Sequence, residues 1–319
     1  MRLPMGKPSP SHTEAQKRAG VISRVGPTAL ALLFVSGVVA TQPSDTIRTA
    51  GDPVVVQPVA HGTLTLAYGR HVVLIDPARF VPSYPEAPRE DLQDLAKAYL
   101  AKFGAPPKPP ASPDEEPNPA LLVSALPMRP EQIARFRRIS PTVILITHTH
   151  TDHLDPRAIA ALRRPQTRII IPTAAKGMLL DVEGAETMAN GDRIMLDDLT
   201  IEAVPMYNPK PDPLQGTTFH PKGRGNGYVV TFGGTRVYIG GDTGCTPEMR
   251  ALKDIELAFV PMNLPYTMSP DEAAACVKAM KPRVVYPYHF VGSDPKTFDA
   301  ALKGTGIHVR LRDWYLAGR

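Results

Sequence analysis

The chain has 319 residues, 43% of them hydrophobic and 21% charged, which suits one large globular domain or two small ones. Its formal net charge is +5, but the first forty residues hold Arg2, Lys7, Lys17, Arg18 and Arg24 against Glu14, a net of +4, leaving +1 for the rest. So neutral a body gives no support to nucleic-acid binding.

The first forty residues read as a targeting segment. Basic residues end at Arg24, an apolar stretch follows from Val25 to Ala40, and Val38 and Ala40 supply small side chains before a cleavage point at Thr41. That is the plan of a secretory signal, and the stretch is short for a membrane span, which needs ~20 apolar residues. Export, to a periplasm in a Gram-negative source, is expected; an uncleaved N-terminal anchor is the competing reading. A single globular domain is then expected from 41 to 319. Its two cysteines, Cys245 and Cys276, read as packed thiols, although export permits a disulfide.

After the targeting segment, 54–57, 62–68 and 71–75 read as strands, with turns at His61-Gly62 and Gly69-Arg70. Asp76-Pro77 ends the last of them. A helix is expected over 86–103, then a proline-dense surface loop over 104–119, then a helix over 130–139. The run Val143-Ile144-Leu145-Ile146 is a buried strand. Asp155 and Pro156 cap and start a helix to Arg163. A strand over 168–171, a short helix over 174–180 and strands near 193–196 and 199–204 follow. A Pro- and Gly-rich loop spans 208–226. A hairpin, 228–232 with 235–239, turns at Gly233-Gly234 and delivers Asp242. A helix over 270–281 and a strand over 283–286 deliver His289.

The stretch Thr147-His148-Thr149-His150-Thr151-Asp152-His153-Leu154-Asp155 places three imidazoles and two carboxylates just past a buried strand. Imidazole with carboxylate suits zinc, manganese or iron. Strand ends deliver polar ligands again at Asp242 and His289, the recurrence a two-metal site requires. In an extended segment residues i and i+2 point the same way, so His148 and His150 can grip one ion. Asp152 and His153 reach a second, His289 completes its shell, and Asp242 bridges the two. Asp155 reads as a helix cap, and His71 and His308 as half-exposed strand residues.

These residues resemble the metallo-β-lactamase superfamily: Thr-His-x-His-x-Asp-His at 147–153, Gly-Asp-Thr at 241–243 and Pro-Tyr-His at 287–289 stand in that family's order. The finer resemblance is to the UlaG-like (lactonase-like) hydrolase branch, through 203–208, 219–223, 240–243, 263–268 and Asp76-Pro77. The resemblance implies an α/β four-layer αββα sandwich with the site at one edge between the sheets. It also implies hydrolysis by a metal-bound hydroxide. In many relatives a third histidine for the first ion follows the strand after the motif. Here that strand ends in Tyr207-Asn208, so His220 is the expected substitute. His61 is expected to orient a metal ligand rather than to be one.

The expected cofactor is two divalent ions, zinc foremost, with manganese or iron also suited. Asp242 positions the nucleophile and Asp152 accepts its proton. Tyr207, Asn208, Lys222 and Tyr266 flank the expected mouth as substrate contacts, Lys222 suiting an anionic group. The expected partner is a small ester, lactone or phosphoester. One alternative is a membrane-proximal phosphodiesterase resembling those that cleave N-acyl phosphatidylethanolamine. Another, of a different class, is a non-enzymatic metal-binding protein. A diiron oxygen-reducing relative would carry Glu where His150 stands.

Overall fold

The computed structural model describes residues 43–49, 51–78, 136, 138–176, 184–211 and 218–315. The targeting segment, the helix expected over 86–103 and the proline-dense loop lie outside these residues, as does most of the helix expected over 130–139.

Among the described residues, fourteen strands form two sheets of seven. The first contains β1 (Asp45–Ile47), β2 (Val54–Ala60), β3 (Thr63–Tyr68), β4 (His71–Ile75), β5 (Val143–Leu145), β6 (Arg168–Pro172) and β7 (Glu186–Met188). The second contains β8 (Arg193–Leu196), β9 (Leu199–Met206), β10 (Gly225–Phe232), β11 (Thr235–Ile239), β12 (Ile255–Pro261), β13 (Val284–Tyr288) and β14 (His308–Val309). Spatial order follows chain order in both. Each sheet begins with four antiparallel strands and ends with three parallel additions. The two halves therefore share one topology.

Side-chain alternation explains the layering. Val143 and Leu145 of β5 point into the inter-sheet core, where Tyr228, Val230, Leu257, Phe259 and Tyr286 of the other sheet meet them. Ile144 and Ile146 point the other way, onto a cluster with Ile159 and Leu162 of the helix Pro156–Leu162. On the second sheet Val229, Ala258, Val260 and Val285 face outward against the helices Pro247–Ala251, Pro270–Met280 and Pro295–Leu302. The result is the αββα sandwich.

Several expectations change. The helix expected over 174–180 is a single 3-10 turn, Thr173–Ala175, within the described residues. β12 was not legible, because Ile-Glu-Leu-Ala-Phe-Val-Pro has neither strict alternation nor flanking turn dipeptides. His71 is buried, and its Nε2 lies 2.7 Å from Asp198 Oδ1. Cys245 and Cys276 are not packed thiols: they form a disulfide, Cα atoms 5.6 Å apart, tying the loop after β11 to the helix Pro270–Met280.

Candidate metal centre

The parallel strands end at one edge of the sandwich, and their first residues beyond the sheet carry the chemistry. β4 ends in Asp76, β5 in the run His148 to His153, β11 in Asp242 and β13 in His289. His61 comes from the β2–β3 turn and His220 from the loop before β10. Three of these polar residues take positive φ, His61 (50°), Asp76 (47°) and His289 (46°), as a sharp exit from a strand demands.

Two clusters result. His148, His150, His220 and Asp242 offer ligand atoms that all lie within 4.8 Å of one another, and so do His61, Asp152, His153 and His289. In the first, His148 Nε2 and His220 Nε2 lie 3.0 and 3.1 Å from His150 Nδ1. Asp242 stands between the clusters. Its Oδ2 is 3.6 Å from His220 Nε2 and 3.2 Å from His289 Nε2, and its Oδ1 is 3.3 Å from His153 Nε2.

A second ring of contacts fixes which nitrogen each histidine turns inward. Thr147 donates its hydroxyl to Asp76 Oδ2 (2.6 Å), so its oxygen accepts from His148 Nδ1 (3.0 Å), leaving His148 Nε2 bare. His220 Nδ1 sits 3.0 Å from Asn208 Oδ1 and 3.1 Å from the Tyr266 carbonyl, which likewise leaves its Nε2 bare. His153 Nδ1 is 2.7 Å from Asp76 Oδ2, and Asp76 also accepts the Thr147 backbone N–H at 2.7 Å. The bare Nε2 atoms of His148 and His220 both converge on His150 Nδ1 at 3.0–3.1 Å, where a single ring proton could serve only one of them and a cation would serve all three. His153 Nε2, Asp242 Oδ1 and both ring nitrogens of His289 are buried with no hydrogen-bond partner. An N/O donor set with unsatisfied inward atoms fits zinc or a similar divalent ion.

The electrostatics agree. Burial, then the neighbouring His150, lowers His220 to about 3. Burial, then His289, lowers His61 to about 4. Burial, then His153, holds His148 well below the ordinary histidine value. Burial alone would raise Asp242 and Asp152, but the surrounding histidines outweigh it and hold both carboxyls well below their usual range. His153 goes the other way: burial would lower it, and Asp242, Asp152 and Asp76 together raise it.

All seven expected ligands are brought together. His61, expected outside the ligand set, lies with its Nε2 among them. The four expected substrate contacts divide. Asn208 holds His220 and donates its Nδ2 to the Tyr266 carbonyl at 2.9 Å, so it serves the ligand shell. Lys222 is not a free cation: its Nζ is 2.6 Å from Glu248 Oε1 and 4.9 Å above the Tyr207 ring, whose hydroxyl donates to Glu248 Oε2 at 3.0 Å. The Tyr266 ring is exposed and packs edge-on against Phe219 at 4.8 Å. Asp155 is the helix cap, accepting from the backbone of Arg157 and Ala158. Asp76, Thr147, Glu248 and Tyr315 were missed as site residues. For Asp76 there was a signal, a carboxylate directly after a fully apolar strand.

Residues 111–290 match the model of the beta-lactamase superfamily domain. A UPF0173 metal-dependent hydrolase of Methanopyrus kandleri is 29% identical over 182 residues, 54% of this chain and 79% of the relative. Its counterpart in Deinococcus radiodurans is 30% identical over 200 residues, 59% of this chain and 84% of the relative. Among solved structures, a candidate metal-dependent hydrolase from Parabacteroides distasonis is 32% identical, with a TM-score of 0.62 over 85% of this chain and 98% of that one. Igni18, a metallo hydrolase from Ignicoccus hospitalis, shares the fold at 19% identity, with a TM-score of 0.54 over 81% of this chain and 94% of that one. Fold, donor set and relatives make this a metal-dependent hydrolase. Within that class, the chain belongs to the metallo-β-lactamase superfamily.

Proposed function

We propose that the protein hydrolyses a small ester, lactone or phosphoester at a two-ion centre, zinc being the expected metal. The observation that carries this reading is the position of Asp242 between two His/Asp clusters, in which His153 Nε2, Asp242 Oδ1 and both ring nitrogens of His289 are buried without a hydrogen-bond partner. His148, His150 and His220 would hold one ion, Asp152, His153 and His289 the other, and Asp242 both. Bound there, the cations lower the pKa of water and polarise the scissile carbonyl or phosphoryl oxygen. Asp152 is 18% exposed, the most accessible carboxylate of the centre, and so is placed to accept a proton from the attacking water. Asp76 holds the His153 ring, and Asn208 holds that of His220.

Within the superfamily we place the chain with the UlaG-like hydrolases on its quoted motifs. The mouth favours a neutral or partly apolar substrate. Glu248 already matches the charge of Lys222, while Leu264 and Tyr266 are exposed on a loop that touches both clusters. In that loop Met262 donates its backbone N–H to the His289 carbonyl (3.3 Å), and the Tyr266 carbonyl meets His220 Nδ1. The same apolar rim supports a second reading, a phosphodiesterase acting on N-acyl phosphatidylethanolamine-type lipids. The Cys245–Cys276 disulfide supports an exported, periplasm-like location.

The test is a panel of esters, lactones and phosphodiesters offered to zinc-loaded and chelated protein. Hydrolysis of at least one neutral ester or lactone is expected, abolished by chelation and by His148→Ala. Turnover of lipid phosphodiesters alone would favour the second reading. Inactivity of the loaded protein towards every class would leave a non-enzymatic metal-binding protein.

A further inference from the structure

We infer that His61 is a positioning residue that donates a fixed hydrogen bond to Asp152, and that it is not a metal ligand although it lies among the ligands. The inference rests on the two-ion reading above.

His61 occupies the β2–β3 turn, 1% exposed, with its backbone N–H on the Trp314 carbonyl at 3.0 Å. Its ring makes two hydrogen-bond contacts among the described residues: Nε2 is 3.1 Å from Asp152 Oδ2, and Nδ1 is 2.9 Å from the Tyr315 hydroxyl. An ionised carboxylate only accepts, so the bond to Asp152 requires a proton on Nε2. A neutral imidazole carries one proton, which leaves Nδ1 bare and makes it the acceptor of the Tyr315 hydroxyl proton. Tyr315 is prepared for this, because its oxygen accepts the Phe290 backbone N–H at 2.9 Å. A relay results, from Phe290 N–H to Tyr315 O–H to His61 to Asp152, in which each proton has an acceptor.

Ligation through Nε2 would need the opposite tautomer. Nδ1 would then donate to Tyr315, Asp152 would lose its donor, and the tyrosine proton would have no acceptor among the described residues. A doubly protonated ring has no lone pair to offer either. Both states that keep the Asp152 bond therefore exclude His61 from coordination.

The second ion does not need it. Asp152, His153, His289 and the shared Asp242 already supply at least the three protein ligands of an open catalytic zinc site. What His61 provides is orientation. It occupies Asp152 Oδ2 from one side, and its ring lies against that of His289 with centroids 3.7 Å apart and planes tilted by 39°. Supporting contacts of this kind are worth roughly 10- to 100-fold in metal affinity or activity.

Nitrogen-15 NMR of the full chain, histidine-labelled and zinc-loaded, reads the tautomer directly. The wild-type His61 signals, identified by their absence from His61→Gln, should show a protonated Nε2 and a bare Nδ1. Metal analysis should find two zinc ions in wild type and in His61→Gln. His61→Ala should lose roughly 10- to 100-fold in kcat with little change in KM, and the glutamine variant, which keeps a donor, should recover part of that loss. A metal-shifted Nε2 in wild type, or one ion in His61→Gln against two in wild type, would overturn the inference while leaving the two-ion centre standing. Wild-type protein that binds no zinc would sink the centre and this inference with it. Should His61→Gln fail to fold, His61→Asn serves for the same assignment and metal count.

Discussion

Asp76 is the buried residue on which most of the centre's geometry converges. It accepts the Thr147 backbone and hydroxyl protons and holds His153 Nδ1 at 2.7 Å, so two residues of the motif take their orientation from it directly. Asp76→Asn keeps the shape and removes the charge. We expect metal affinity to fall by roughly 10- to 100-fold, measured by chelator competition; unchanged affinity would show that His153 is held by packing alone. Gly62 acts from the other side, since a Cβ there would come within 2.8 Å of His153 Cε1. Protonation offers a further check at this scale. In metal-free protein His61, His148 and His220 sit below the ordinary histidine value, mainly through burial. The unfolded chain then binds more protons than the folded one below about pH 6.5, so stability should fall from there toward about pH 4. His153, raised in the folded state, is protonated in both states across that window and does not oppose the trend. Asp76, raised by burial, opposes it with a single proton. Denaturant midpoints of chelated protein that stay flat across the window would contradict this assignment.

Each of the four described α-helices starts with proline after a capping side chain, Asp155, Thr246, Ser269 or Asp294. Such starts suit the first turn, where a backbone N–H is unpaired in any case. The start at Asp155 was legible in the sequence for this reason, and the helix over 270–281 was expected without it. Both strands of the hairpin that delivers Asp242 were legible too, from the Gly233-Gly234 turn between them. The pairing of Cys245 with Cys276 was not, because it depends on how the helix Pro270–Met280 packs on the sheet. That bond spans 31 residues of chain. The double replacement Cys245→Ser with Cys276→Ser should cost about 3 kcal/mol of stability, read from denaturant midpoints. A loss below about 0.5 kcal/mol would mean that the thiols are not joined in solution.

At the scale of the molecule, the centre belongs to neither half alone. The first half contributes His61, Asp76 and the run from His148 to His153; the second contributes His220, Asp242 and His289. The order of the motifs along the chain was legible as family resemblance. The shared topology of the halves was not, because their common order lies in hydrogen-bonding pattern rather than in repeated residues. A centre assembled across two sheets should couple metal binding to folding of the whole body. Stripping the metal should lower the unfolding midpoint of the sandwich as one transition; loss of a local signal alone would argue against that coupling. The most direct test of the two-ion centre is metal stoichiometry in the full chain, wild type beside Asp242→Ala. Two divalent ions per wild-type chain are expected, with metal and hydrolysis both lost in the variant. A wild-type chain that holds a single ion, or an Asp242→Ala chain that keeps two ions and its activity, would contradict a centre bridged by Asp242.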